Sequence, residues 1–279
     1  MPYFSLLRRF VLPCWLLCAC LASAEGQEFS IYTKLYHDAE GKPAKQPFCR
    51  CHTFFHANKG YDYIDSVGDV TILDYTAKKV TVLHGSRKIA TSFTLAELDQ
   101  SITEAFHQAE EFLKEPVKQV KYDHAQLHEF IKFQLHPEFE EEYDASTRKL
   151  TLSSEQLTYQ AICASPETPQ HLAAYLKFAD STTKVNYVLK SHAFLPSVRM
   201  KLNSTLRERG LIPVKVSLQT HFGAKVKLRA EHQYKWALEK ADRQRIHEWE
   251  SLLASKETKT VSLPEFQAAI EEDAHKGEK

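Results

Sequence analysis

The clearest pattern in the sequence is a strict alternation of apolar and charged positions across residues 226–238. The even-numbered positions carry Val, Leu, Ala, Tyr and Trp, with His232 as the one polar exception, and the odd-numbered positions through Lys235 carry Lys, Arg, Glu or Gln. Successive side chains of a strand point to opposite faces, so this pattern predicts one long, half-buried strand. Residues 214–218 alternate in the same way, and Gly223 lies between the two runs, which predicts a hairpin.

Short alternating runs also fill the N-terminal part of the chain. They predict strands near residues 29–37, 48–56, 61–65, 70–75, 80–84 and 88–93, and two more follow near 148–153 and 157–163. The connections between the first six are too short for parallel crossovers, so the strands pair antiparallel. About ten strands exceed what a strongly twisted open sheet usually holds without curling. We therefore expect an α+β fold, in which a curved, half-barrel-like antiparallel meander carries helices on its concave face.

Helical patterns occupy the stretches between these strands. Thr94 and Glu97 have the spacing of a capping box, and the residues after them place an apolar stripe on one face of a helix. Further helices are predicted near 124–135, 169–189 with a break near 180–183, from a cap at Ser197 to Gly210, and after a cap at Asp242. Residues 25–254 then form one domain, and residues 255–279 form a loosely attached, charged tail with a short amphipathic helix around Phe266.

The first 24 residues differ in kind from the rest. Arg8 and Arg9 precede an apolar run that is too short to span a bilayer, and an Ala-Ser-Ala triplet closes it, which predicts a signal peptide cleaved after Ala24. The alternative is a degenerate lipobox that ends in a lipidated Cys20. Both alternatives predict an exported protein. A cleaved signal peptide predicts a periplasmic or extracellular protein, and a lipidated Cys20 predicts one anchored to the envelope. Cleavage after Ala24 removes two Arg and leaves a net charge of −2, which favours neither nucleic acid nor anionic lipid as partner.

Three cysteines remain after this cleavage, and an odd number cannot be fully paired within one chain. Cys49 and Cys51 are two apart in a predicted strand, which places their Cα atoms about 6.6 Å apart, at the edge of disulfide reach. A bridge from either of them to Cys163 is easier, and we take Cys51 and Cys163 as the candidate pair. Three free thiols are the alternative.

The sequence contains no recognisable catalytic, phosphate-binding or dinucleotide motif, so no cofactor is predicted. His124 and His128 have the i,i+4 spacing of metal ligands, but no third ligand accompanies them. Cys49 and Cys51 are expected to point away from His52 and His56 across the strand, so no metal site is predicted there either. The acidic run 140–142 is interpreted as a solvated face.

Aromatic residues and one histidine on the predicted strands could line an interior cavity. These candidates are Tyr61, Tyr63, Tyr159, His232, Tyr234 and Trp236. The alternative for the aromatic residues is simple core packing, and for His232 it is a core imidazole with satisfied hydrogen bonds rather than a catalytic group.

Several segments together resemble an uncharacterised family of exported bacterial proteins. The segments are 53–56, 61–65, 70–72, 79–83, 93–98, 195–196 with Arg199, 202–203, 236–238, 242–243 and Ile246. That family has no established activity, so the resemblance implies no catalytic residues. At the level of architecture, a meander with helices on its concave side resembles the periplasmic lipoprotein carriers, whose half-barrels shelter acyl chains.

The leading hypothesis is an exported, non-enzymatic protein that binds a lipid or another hydrophobic small molecule between its sheet and its helices. The alternative is a cell-envelope interaction module with a filled core. A third hypothesis is a hydrolase or metal-dependent enzyme with an unrecognised site. A ligand cavity, a filled core and a cleft of converging polar side chains are the observations that separate the three.

Overall fold

The computed structural model describes residues 28–39, 42–114, 122–189, 194–221 and 225–277. The predicted signal peptide and Cys20 lie outside the described residues. Twelve strands are found in the described part: β1 Phe29–His37, β2 Cys49–His56, β3 Lys59–Ile64, β4 Asp69–Asp74, β5 Lys79–His84, β6 Ile89–Thr94, β7 Glu140–Asp144, β8 Lys149–Ser153, β9 Leu157–Ala164, β10 Ile212–Thr220, β11 Lys227–Lys235 and β12 Lys259–Thr260.

The helices lie between β6 and β7, between β9 and β10, and after β11. They are α1 Leu95–Lys114, α2 Tyr122–Leu135, α3 Pro169–Leu189, α4 Pro196–Arg209, α5 Lys240–Ala254 and α6 Leu263–Gly277. Within the described residues no helix is both long and apolar enough to cross a membrane.

All twelve strands belong to one sheet in the order β12-β6-β5-β4-β3-β2-β1-β11-β10-β9-β8-β7. The first strand therefore lies in the middle, with one meander running from β1 to β6 and the other from β11 back to β7. Every neighbouring pair is antiparallel except β12 with β6. The predicted α+β fold with a curved, mostly antiparallel sheet is confirmed.

Two strands were not predicted. β7 carries the acidic run 140–142 and forms one edge of the sheet, where all its residues except Tyr143 are exposed. Charged side chains are common on edge strands because they discourage further pairing, so the interpretation of this run as a solvated face missed its strand structure. β12 is only two residues long and extends the opposite edge.

The two faces of the sheet are covered differently. We call the face that contains Phe29, Leu73 and Leu150 the inner face, and helices α1, α2, α3, α4 and α6 all contribute buried residues to its core. A smaller core lies on the opposite, outer face, where Ile246 of α5 packs among side chains of β2 to β6. The sequence analysis predicted α5 as a helix but placed all the helices on one face. The position of α5 on the outer face corrects that prediction.

The C-terminal segment is part of the packed structure rather than a loosely attached tail. The backbone N–H groups of Lys259 and Val261 donate to carbonyl oxygens of Lys88 and Ala90, which attaches β12 to β6. Phe266 of α6 is 0% exposed within the inner core. The charged composition of this segment hid the one aromatic anchor that holds it in place.

Three predicted helix boundaries also require correction. α3 continues through residues 180–183 without a break. α4 begins after Leu195 with Pro196 in its first turn, and the hydroxyl of Ser197 donates to the backbone oxygen of Gln134 instead of capping. α5 begins after Glu239, which forms a capping box with Asp242.

Candidate functional site

The six predicted cavity residues do not share one face of the sheet. Tyr61 and Tyr63 lie on the outer face, with ring centroids 6.3 and 5.3 Å from that of Trp249 on α5. The hydroxyl of Tyr61 donates to Glu250 at 2.6 Å. The prediction that these two tyrosines line the interior with the other four is therefore wrong, because the residues that β3 turns inward are Gly60 and Asp62.

The other four residues do lie on the inner face. Along β11 the rings of Trp236, Tyr234 and His232 follow one another with centroids 5.2 and 6.4 Å apart. Tyr175 of α3 packs edge-on against Tyr234 with centroids 6.0 Å apart, and Tyr234 donates its hydroxyl to the carbonyl oxygen of Pro213 at 2.8 Å. Tyr159 belongs to the same core. Aromatic rings thus fill the part of the inner face around Trp236 and Tyr234.

His232 marks the point where this packing ends. Its Nδ1 is hydrogen-bonded to the hydroxyl of Thr33 at 2.9 Å, whereas its Nε2 is shielded from solvent and has no hydrogen-bond partner. Burial, together with a smaller contribution from the positive charge of Arg199, lowers the pKa of His232 to about 3. The imidazole is therefore neutral at physiological pH, with one unused polar atom in the interior.

Arg199 brings a positive charge from α4 to this part of the inner face. Its Nε donates to Oδ1 of Asn203 at 3.1 Å, and its guanidinium also hydrogen-bonds to Tyr175. Burial raises the pKa of Tyr159, Tyr175 and Tyr234, while the charge of Arg199 opposes that rise at each of them. The Arg199 side chain is thus directed toward the aromatic interior.

No carboxylate among the described residues forms an ion pair with Arg199. The acidic group nearest in its hydrogen-bond network is Asp180, which accepts from Nδ2 of Asn203 at 2.8 Å and is paired with Arg207 at 2.6 Å. Asn203, which is 0% exposed, therefore separates Arg199 from a carboxylate that already has a cation. A charge in this setting lacks the partner that partly buried charges usually have.

Beyond His232, the described inner face is less completely buried. The registers place Thr33 opposite both Cys51 and His232, and Leu35 opposite both Cys49 and Ala230. These positions are half-buried, as are Ile64, Leu218 and Leu228 on the same face of adjoining strands. We call this surface, formed by Thr33, Leu35, Cys49, Cys51, Ile64, Leu218, Leu228, Ala230 and His232, the trough.

The exposure of the trough contrasts with that of the same strands farther along. Phe29, Ile31 and Phe55 are between 0% and 4% exposed. The apolar side chains Leu35, Leu228 and Ala230 belong to the same strands or their partners, yet the helices leave them half-uncovered. Along β1 and β2 the inner face is therefore buried at one end and half-buried at the other.

Cys163 is a buried free thiol. Cys51 is in β2 and Cys163 in β9, with β1, β11 and β10 between them, so their separation across four strand spacings is about 19 Å. A bridge between Cys51 and Cys163 is excluded at that distance, and this prediction is wrong. The Sγ atoms of Cys49 and Cys51 lie 3.7 Å apart on the inner face. Burial raises the pKa of the Cys163 thiol to about 11.

A Ser-His-Asp arrangement that the sequence analysis missed lies at the ends of β4 and β5. Nδ1 of His84 is hydrogen-bonded to Oδ1 of Asp69, and Nε2 of His84 is 3.3 Å from Oγ of Ser86. His84 and Asp69 are buried, whereas Ser86 is exposed. As in serine hydrolases, the carboxylate contacts the imidazole and the imidazole contacts the serine hydroxyl. Here the pairing of β4 with β5 brings the residues together, and they form no sequence motif.

The described residues provide no converging set of metal ligands. No group of three or more His, Cys, Asp or Glu side chains there could hold a metal ion. Nε2 of His128 is hydrogen-bonded to the backbone oxygen of Leu113 at 3.0 Å, and the side chain of His124 lies outside the described part. His52 packs on the outer face between Tyr32 and Phe54, whereas Cys49 and Cys51 lie on the inner face, so their sulfur and imidazole groups do diverge.

A groove of about 780 Å³ lies between α2 and the edge strands β7 and β8. Its walls carry Glu129, Glu138, Glu140 and Glu155 against a single Lys132. These carboxylates are on exposed residues that water solvates freely. The groove is larger than many ligand sites, but its acidic walls do not suit an apolar molecule, and we therefore place the candidate site in the trough.

Comparison with known proteins adds little to this description. No family model and no curated protein matches the chain. Among solved structures, one described as PNGF-II in the P21 space group matches with 12% identity and a TM-score of 0.31. The match covers 85% of this chain and 31% of that one. A likeness at this level carries no argument about fold or activity.

Proposed function

We propose that the protein is an exported binding protein that holds a lipid or another apolar ligand in the trough. The observation that supports the proposal is the half-buried apolar surface of Leu35, Leu228 and Ala230 on the inner face, beside an aromatic core against which Leu218 packs. Apolar area that stays in contact with water costs about 25 cal/mol per Å², and a ligand chain that covers it recovers this free energy.

The trough also has the composition of a ligand site. Apolar side chains make up much of its floor, and the polar groups among the residues that define it are the hydroxyl of Thr33, the imidazole of His232 and the two thiols of Cys49 and Cys51. Known small-molecule sites combine a mostly apolar lining with a few polar groups that fix orientation.

Filling the trough tests the proposal. The Ala230→Phe variant places a ring on the half-exposed floor, and Ala237→Phe adds the same ring at an exposed position just after β11. We expect the uncharged fluorescent probe N-phenyl-1-naphthylamine to bind the wild type, to bind Ala237→Phe equally well, and to bind Ala230→Phe at least tenfold more weakly. Equal binding by all three proteins, or no binding to the wild type, would show that the trough is not an apolar ligand site.

Export has its own test. Mass spectrometry of the protein isolated from its native cell envelope should give an N-terminus at Glu25, as the pattern of residues 1–24 predicts. An N-terminal Cys20 with an attached acyl group would support the anchored alternative. Retention of Met1 would contradict export by either route.

A second candidate function, ester hydrolysis, rests on the Ser86, His84 and Asp69 contacts. A buried Asp-His pair that orients Nε2 toward an exposed serine is the arrangement that activates a nucleophile. A fluorophosphonate probe should then label the wild-type protein and leave Ser86→Ala unlabelled. Absence of labelling in the folded wild type would assign the pair to a structural role at the ends of β4 and β5.

A further inference from the structure

The interior next to the trough contains a charge that the described residues do not balance. Arg199 is directed into the aromatic interior and, among the described residues, has only the neutral partners Asn203 and Tyr175. The basic side chains of the neighbouring central strands do not share this position. Lys34 and Arg229 alternate to the outer face, where Arg229 is paired with Asp38. Among the described residues, Arg199 thus brings a positive charge to the interior near His232 without a counterion.

His232 adds an unused hydrogen-bonding atom to the same place. Its ring is held by Thr33 through Nδ1, which leaves Nε2 in the interior with nothing to bind. A buried polar atom without a partner destabilises the protein, so a ligand group that bonds to it gains free energy. When the Thr33 hydroxyl donates to Nδ1, Nε2 carries the proton and is itself a donor.

We infer that the ligand of the trough is a long-chain carboxylic acid, whose carboxylate binds Arg199 and accepts a hydrogen bond from Nε2 of His232 while its chain covers the apolar floor. This inference rests on the proposed function and specifies its ligand class. The guanidinium presents paired N–H groups that match the two oxygens of a carboxylate. The single charge of the carboxylate equals the single unpaired charge of Arg199.

A ligand of higher charge fits this site less well. A phosphate monoester is close to doubly charged near neutral pH, and only one unpaired cation is available to it. Asp62, hydrogen-bonded to Thr53 at 2.7 Å, adds a negative group to the same inner face two strands away from β1. Desolvation of a second negative charge without a second cation is unfavourable.

The experiment compares head groups on one chain length. Binding of hexadecanoic acid, hexadecanol and hexadecyl phosphate to the wild-type protein is measured by displacement of N-phenyl-1-naphthylamine below the micelle concentration. We expect the acid to bind about 10- to 100-fold more tightly than the alcohol, which corresponds to the loss of one charge-assisted hydrogen-bonded pair. We expect the phosphate to bind more weakly than the acid.

Variants on α4 assign the preference to its residue. Arg199→Met should reduce the acid-to-alcohol ratio to near one by weakening acid binding, with alcohol binding little changed. Lys201→Met, which removes the same charge from an exposed position two residues along the helix, should leave the ratio as in the wild type. Arg199→Lys retains the charge without the planar fork and should give an intermediate ratio, and it replaces Arg199→Met if that variant does not fold.

The outcomes separate the two proposals. Equal binding of acid and alcohol by the wild type would overturn the inference about the head group while leaving an apolar ligand site intact. Tighter binding of the phosphate, or an unchanged ratio in folded Arg199→Met, would also overturn it. If none of the three compounds displaces the probe, or the probe itself does not bind, the proposed function fails together with the inference.

Discussion

The buried imidazole of His232 makes a specific prediction about stability in mild acid. Burial, aided by the charge of Arg199, lowers its pKa to about 3 in the folded protein, compared with 6.5 for an ordinary histidine. Below pH 6.5 the unfolded chain therefore binds a proton at this residue that the folded chain does not bind. The stability of the folded state falls as the pH drops from about 6.5 toward 3, and His232 contributes to that fall.

The size of this contribution follows from the two pKa values. At pH 5 the unfolded-state histidine lies 1.5 pH units below its pKa of 6.5 and is almost fully protonated. One pH unit corresponds to about 1.4 kcal/mol, so His232 alone should cost about 2 kcal/mol of stability between pH 7.5 and pH 5. Replacing it with a side chain that does not titrate should remove this cost.

The assay is urea unfolding of the wild type and His232→Asn at pH 7.5 and pH 5. Asparagine retains a polar group in reach of Thr33, and we expect the variant to lose about 2 kcal/mol less stability than the wild type over this interval. His247→Asn on α5 is the matched control, and because His247 is exposed its replacement should leave the pH dependence nearly unchanged. If His232→Asn and the wild type lose the same stability, the imidazole is not buried in a neutral form and the described interior is incorrect.

Three further predictions concern packing and a buried ion pair. A Cβ at Gly60 would lie 2.5 Å from the ring of Phe178, so Gly60→Ala should destabilise the protein by about 1–3 kcal/mol in urea unfolding, and an unchanged midpoint would contradict this contact. Arg229→Ala leaves Asp38 buried without its cation and should cost about 3–5 kcal/mol at pH 7, and this loss should become smaller as the pH falls below 3.8, because the hydrogen bond from Arg229 lowers the pKa of Asp38 and its stabilisation is lost as the carboxyl group is protonated. Phe266→Ala should cost about 3–5 kcal/mol if α6 belongs to the core, whereas a change within experimental error would mean that the segment is only loosely attached.

Sequence patterns were informative where the two faces of an element differ strongly. The alternation around His232 predicted β11 because charged and apolar residues lie on opposite sides of that strand, and the short turns predicted the antiparallel meander from β2 to β6. The same rule failed for β7, whose acidic residues are nearly all exposed because the strand is at an edge. It also missed how Phe266 attaches the C-terminal helix, since one anchor residue produces almost no periodicity.

The candidate site was harder to predict because it depends on which elements meet. Tyr61 and Tyr159 are both tyrosines on strands, and either could line a cavity. They lie on opposite faces of the sheet, and the sequence does not specify that α5 covers the face that carries Tyr61. Arg199 is one of many charged residues on predicted helices. Its absence of a carboxylate partner becomes visible only when α4 is placed against β11, and the resemblance that included Arg199 carried no role for it.

The central claim, that an acyl chain lies in the trough, is tested most directly by photoaffinity labelling. A sixteen-carbon carboxylic acid with a diazirine near the end of its chain is irradiated with the protein, and the labelled peptides are identified by mass spectrometry. The account predicts saturable labelling in Phe29–His37, Cys49–His56 and Lys227–Lys235, which unlabelled hexadecanoic acid suppresses. Labelling confined to the acidic groove at Glu129 and Glu155, or labelling that competitor does not suppress, would contradict it.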